Sequence, residues 1–142
     1  MNGHSTRLAL ATLGILAGCS GGNRVPQPAA EGLSAKDTGA RLYDANCIAC
    51  HQQDGRGIPG VYPSLVGSSV VLGDPKELAL WVIKGGRPPT LAAGRYPTMM
   101  VQFGWMEPAD AAALFTYVRS RFGNAAPPVD PATVAQALGP SP

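Results

Sequence analysis

The chain is poor in the side chains that usually build and surround a protein core. Charged residues make up 14% and aromatics 6% of its 142 residues, against roughly 25% charged in an average soluble domain. A formal net charge of +2 is too small for the basic surface of a nucleic-acid binder or for recognition of a strongly acidic partner. Cysteines number three and histidines two. The apolar run from Leu8 to Ala17 falls well short of the roughly 20 residues that cross a bilayer. What abounds instead is glycine, with 18 copies, and proline, with 14. Such a chain has room for one modest domain with tails, and struggles to fill an interior from its own side chains. Something else is expected to fill it.

The N-terminal run has the size of a signal-peptide core, with Arg7 just before it. It ends in Leu16-Ala17-Gly18-Cys19, which resembles a bacterial lipobox, in which the cysteine is lipidated and becomes the first mature residue. Residues 1–18 are thus expected to be a lipoprotein leader and Cys19 the lipidation site, although one basic residue is a thin n-region. An ordinary secretory signal with an incidental cysteine is the competing reading. Either places the mature domain outside the cytoplasm, and acylation with more than one chain would anchor it without a membrane span. Residues 19–33 read as a tether of small residues, Gly and Pro. Residues 124–142, with five prolines, read as a disordered tail with at most a turn or two near Ala132–Leu138. The working domain is then 34–123.

Within it, three main helices and no strands are expected, an all-α domain. The first spans Ala35 to Asn46, capped by Ser34 with Asp37 three residues on. The second starts at Asp74 with Pro75 at its first position and stops at Gly85-Gly86. The third starts after Glu107 with Pro108 first and runs to Gly123. A short helical turn is expected at Ser64–Ser69. The long Gly/Pro loops 52–63 and 85–105 are of a kind that compact domains carry for function, here to wrap a cofactor.

Cys47-Ile48-Ala49-Cys50-His51 has the C-x-x-C-H spacing of covalent haem c attachment. Two thiols add to the vinyl groups on one porphyrin edge, and the following histidine turns a ring nitrogen onto the iron. A thioredoxin-like redox pair would need a βαβ setting, which the pattern lacks. A zinc site would need about four ligands, and a structural disulfide is permitted by export. Lipidation of Cys19 and two thioethers would use every cysteine. His4 leaves with the leader, so His51 would be the one histidine of the mature chain. This excludes bis-histidine ligation within the chain, and the absence of a second motif excludes a second haem. Met99, Met100 and Met106 are the candidate thioether ligands, which raise the potential of haem iron. Met106, just before the Glu107 cap, suits a hydrophobic staple.

From Gly39 to Asn124 the chain resembles the class I cytochromes c, particularly bacterial periplasmic cytochromes and cytochrome subunits of membrane dehydrogenases. Gly39 and Tyr43 match the small and aromatic residues of the family's N-terminal helix. Leu114 and Tyr117 stand where its C-terminal helix crosses, and Pro63-Ser64-Leu65 matches its Pro-x-Leu. The resemblance implies that the Pro63 carbonyl orients His51 and raises its basicity. It also implies that Met100 is the distal ligand, because Met100-Val101-Gln102-Phe103 stands where many relatives read Met-Pro-x-Phe. Val101 in place of proline leaves the ligand loop less constrained. Arg95 or Tyr96 would meet a haem propionate, and Trp81 and Trp105 would pack on the haem or in the core.

The function implied is membrane-tethered, periplasmic, single-electron transfer by one haem c. Its redox partners would be a dehydrogenase, a quinol-oxidising complex or a terminal oxidase, met at the haem edge near Cys47 and Cys50. No enzymatic constellation is visible. Removing Arg7 leaves a charge of about +1, so electrostatic steering would be modest. The alternatives are a dedicated dehydrogenase subunit, a haem protein with a labile or absent distal Met that binds gas or peroxide, and a thiol–disulfide oxidoreductase.

Overall fold

The computed structural model describes residues 34–91 and 95–139; the expected leader, Cys19 and tether lie outside them. Helix α1 (Ala35–Asn46) is capped by Ser34, whose Oγ accepts the Asp37 N–H at 3.2 Å and donates to the Asp37 carboxylate at 2.6 Å. Its buried residues are Gly39 and Tyr43, and the buried Cys47 follows as its C-cap. Four-residue spacing puts these on one stripe. Helix α2 (Ile48–His51) is a single turn; α3 (Ser69–Leu72), α4 (Pro75–Ala79), α5 (Pro108–Ser120) and α6 (Pro131–Leu138) follow. Among the described residues there is no strand, only the isolated bridges Ile58–Tyr62 and Gly86–Met100. The fold is all-α.

The central contact is the crossing of α1 and α5. Gly39 lies so close to α5 that a Cβ there would stand 2.3 Å from the Ala113 carbonyl oxygen and 2.7 Å from the Tyr117 Cβ. Beside this crossing the Tyr43 ring packs on Tyr117, at 5.7 Å between centroids, and on Phe122, at 5.2 Å. The Tyr43 hydroxyl donates to the Gln52 carbonyl at 2.6 Å, tying the end of the C-x-x-C-H turn back to α1. Burial, reinforced by nearby Cys47, raises the Tyr43 pKa and keeps this donor protonated.

The C-terminal segment corrects the expectation of a disordered 124–142 as far as Gly139; residues 140–142 lie outside the described residues. Asn124 is buried; its side chain donates to the Leu65 and Val118 carbonyls at 3.1 and 2.9 Å and accepts the Gly67 N–H at 2.9 Å. Helix α6 begins at Pro131, capped by Asp130, and buries Val134 completely. Val129 is buried before it, its N–H held by the Thr116 hydroxyl at 2.9 Å. Composition misleads here because proline at the first helical position costs no hydrogen bond, the same device as at Pro75 and Pro108. The domain therefore extends past Gly123 to Gly139. Deleting residues 129–142 is expected to lower the unfolding free energy by about 2–4 kcal/mol, from two buried valines at roughly 1.5–3 kcal/mol each less the ordering cost. A urea midpoint that stays put would remove α6 from the cooperative unit.

Three further boundaries differ from the sequence reading. The expected turn at 64–69 sits later, as α3, with the Ser68 Oγ accepting the Val71 N–H; residues 65 and 67 are instead held by Asn124. The second expected helix is α4 followed by a π-helical turn, Leu80–Lys84, ended by Gly85 at φ 75°. Helix α5 ends at Ser120, and Phe122 at φ 60° turns its ring onto Tyr43.

Candidate haem-binding site

Cys47 and Cys50 flank one helical turn, so α2 delivers both sulfurs and His51 to one place. Both cysteines are unbridged. Burial first, then the neighbouring Cys50, pushes the Cys47 thiol up to about 11.

The His51 ring is oriented by its neighbours. Its Nδ1 lies 3.0 Å from the Pro63 carbonyl oxygen, which can only accept, so Nδ1 carries the proton and Nε2 keeps its lone pair. Burial lowers the His51 pKa, opposed by the Pro63 hydrogen bond, and the ring is neutral at pH 7. Backbone geometry brings Pro63 there. The Gly57 N–H donates to the His51 carbonyl at 2.9 Å. Gly57 has φ +66°, and a Cβ on it would stand 2.6 Å from the Pro63 oxygen, so the loop closes on His51 only with glycine at this position. Leu65, as the family pattern implies, reaches the same place, its N–H bonded to the Gly55 carbonyl at 2.7 Å.

Cys47, Cys50, His51, Pro63, Leu65, Met100 and Phe103 all line one cavity of about 280 Å³. Its walls are mainly apolar, with Leu78, Val82, Leu114 and Phe115 among them. Arg87 is the one charged side chain among the described lining residues. An apolar slot with two thiols at its edge, an imidazole lone pair, a thioether and one cation suits a porphyrin bearing carboxylates. Arg87, which the sequence reading passed over, lines the cavity, and Arg95 is not among its described lining residues. Arg95 instead stacks on the ring of Tyr96 at 5.9 Å, while Tyr96 lines the cavity.

The segment carrying the methionines is held by backbone rather than by proline. Met100 pairs with Gly86 in an antiparallel bridge. The Phe103 N–H donates at 3.3 Å to the Val82 carbonyl, one of the end-of-helix carbonyls that otherwise lack partners. Arg87 also binds the Tyr96 carbonyl across the loop. Met100 packs against the core cluster, and Met106 is buried within it. Met99 is 56% exposed, with its sulfur 4.0 Å from the Arg87 guanidinium. Trp81 lines the cavity as expected. Trp105 is not among the lining residues: it is 61% exposed and packs edge-on against Phe103 at 6.3 Å. No group of three or more His, Cys, Asp or Glu side chains that would hold a bare metal ion occurs among the described residues.

An all-α fold built around a C-x-x-C-H turn and an apolar cavity defines the class of c-type haem proteins. The family model for cytochrome c matches residues 36–122; the chain belongs to the cytochrome c family, whose members carry electrons on covalently bound haem c. It is 36% identical over 93 residues to the cytochrome c subunit of the quinone-dependent alcohol dehydrogenase of Gluconobacter oxydans, covering 64% of this chain and 20% of that subunit. It is 35% identical over 112 residues to the fructose dehydrogenase cytochrome subunit of Gluconobacter japonicus, covering 73% and 22%. To cytochrome c-552 of Thermus thermophilus it is 31% identical over 96 residues, covering 64% of each. The aligned part of the chain thus spans about a fifth of the dehydrogenase subunits it matches.

Proposed function

We propose that the protein is a membrane-tethered, single-electron carrier working outside the cytoplasm. Its one haem would be attached through Cys47 and Cys50 and ligated by His51 and Met100. The observation that carries this reading is the His51–Pro63 hydrogen bond. It leaves Nε2 as the free lone pair, on a ring that lines the same cavity as both thiols and Met100. The haem supplies a one-electron couple. The chain's own residues do the rest. Pro63 fixes the imidazole tautomer and its angle. The Gly86 and Val82 backbone ties hold the Met100 segment near its place, which keeps reorganisation small when an electron enters or leaves. The apolar wall excludes water from the iron. His51 and Met100, if both held the haem, would leave no coordination position for substrate.

The anchor rests on Leu16-Ala17-Gly18-Cys19, and no helix among the described residues is long and apolar enough to cross a membrane. The dehydrogenase relatives favour a membrane dehydrogenase as electron donor, with a quinol-oxidising complex or terminal oxidase as the other partner classes. One experiment tests the whole reading. Expressed in a bacterial envelope, the protein is expected to fractionate with membranes and to show reduced haem c absorbance that carbon monoxide leaves unchanged at neutral pH. The Cys19→Ala form should carry the same spectrum into the soluble fraction. Rapid stoichiometric carbon monoxide binding would replace electron carriage by a gas- or peroxide-binding role, and a soluble wild type would remove the anchor.

A further inference from the structure

Arg119, in the last turn of α5, is only 5% exposed. Its fork is spent on backbone carbonyls. Nε donates to Pro127 at 3.1 Å, and Nη1 donates to Val71 at 2.6 Å and Gly73 at 2.9 Å. No carboxylate meets it among the described residues, where the one ion pair is the exposed Arg56–Asp54 contact. A guanidinium does not give up its proton in a protein. The three carbonyl dipoles solvate the charge without cancelling it, so a fixed unit of positive charge sits inside the domain. Arg119 does not line the cavity itself but is tied to its wall: Val118, which precedes it, and Val71, whose carbonyl it binds, are both lining residues.

We propose that Arg119 is an electrostatic determinant of the reduction potential, holding it above the value the axial ligands alone would set. The proposal rests on the haem reading above. When one electron passes from the cofactor to an acceptor protein, the charge of the site rises by one. A buried cation close by opposes that rise and so favours the reduced form. Because the interaction runs through protein rather than solvent, salt screens it little. Pro127, whose carbonyl accepts from Arg119, thereby acquires a functional role besides leading into α6.

Potentiometric titration of haem-loaded Arg119→Gln, Arg119→Lys and Pro127→Glu, at low salt and at 1 M salt, tests this. At the wild-type midpoint, Arg119→Gln is expected to shift the oxidised-to-reduced ratio several-fold toward oxidised at both salt concentrations. Arg119→Lys, which keeps the charge, should stay within twofold of wild type. Pro127→Glu leaves Arg119 in place and adds a carboxylate on the exposed residue whose carbonyl the guanidinium binds. It should shift the ratio the same way as Gln at low salt, and less at high salt, and it serves if Arg119→Gln fails to fold. The proposal is overturned if Arg119→Gln keeps its Met–iron band yet titrates within twofold of wild type, if Lys moves as far as Gln, or if Pro127→Glu leaves the low-salt ratio unmoved. Absence of the Met–iron band from the wild type would instead defeat the ligation reading itself.

Discussion

Substituting Met100 by alanine is expected to abolish the Met–iron charge-transfer band of the oxidised protein, while Met99→Ala leaves it intact. Both methionines line the cavity, so proximity alone does not choose between them. Packing does. Met100 lies against the core cluster, with its backbone fixed by the bridge to Gly86. Met99 is 56% exposed and faces Arg87. A solvent-facing thioether would have to give up its rotamer freedom to ligate, whereas Met100 is already ordered. Loss of the thioether should also lower the potential by on the order of 0.1 V, a share of the roughly 0.8 V that axial ligands command. The vacated position should bind carbon monoxide rapidly in the reduced state. Survival of the band in Met100→Ala, with its loss in Met99→Ala, would exchange the two roles.

The largest effect on stability should come from Gly39. In a solvent-exposed helix interior, Gly→Ala is worth about 1 kcal/mol in favour of alanine. Here the added Cβ would stand 2.3 Å from the Ala113 carbonyl oxygen, a backbone atom that cannot rotate away. The helices must separate, and overpacking of this kind costs typically 1–3 kcal/mol. Separation would also loosen Tyr43 from Tyr117 and the Gln52 carbonyl, next to the haem motif. Gly39→Ala is therefore expected to destabilise by about 1–3 kcal/mol net, read as a lowered thermal or urea midpoint, and Gly39→Val to yield no folded coloured protein. A Gly39→Ala midpoint equal to or above wild type would mean that the α1–α5 contact is looser than these distances imply.

How much of this was legible depended on how far apart the interacting residues lie. The Ser34 cap, the Pro75 and Pro108 helix starts and the C-x-x-C-H turn each depend on residues within about one helical turn, and each stands where the pattern put it. The α4 helix shows where such reading stops. Propensity and caps outlined one helix to Gly85, but the widening at Leu80–Lys84 accompanies a tertiary contact, in which the Val82 carbonyl meets the Phe103 N–H. The C-terminal segment shows the same limit, since proline content carries no information about whether Val129 and Val134 have a surface to bury against. Arg119 and Arg87 gave no local signal at all, because an arginine on a helix or loop reads as solvated until its partners are known.

By itself, then, the sequence determined the helix starts and the haem motif with its stoichiometry, because covalent spacing and capping act over a few bonds. The proximal hydrogen bond was implied in advance by family resemblance, and its geometry came from Gly57 closing the loop. The resemblance also pointed to Met100, but only the tertiary structure decided that Met100 packs on the core while Met99 is exposed, which arginine lines the cavity, and that Val129 and Val134 belong to the core. Each of those outcomes depends on side chains and carbonyls brought together from distant positions, such as Gly86 with Met100 and Arg119 with Val71 and Pro127. Contacts of that kind come from burying the α1, α5 and α6 faces together and have no counterpart in local spacing.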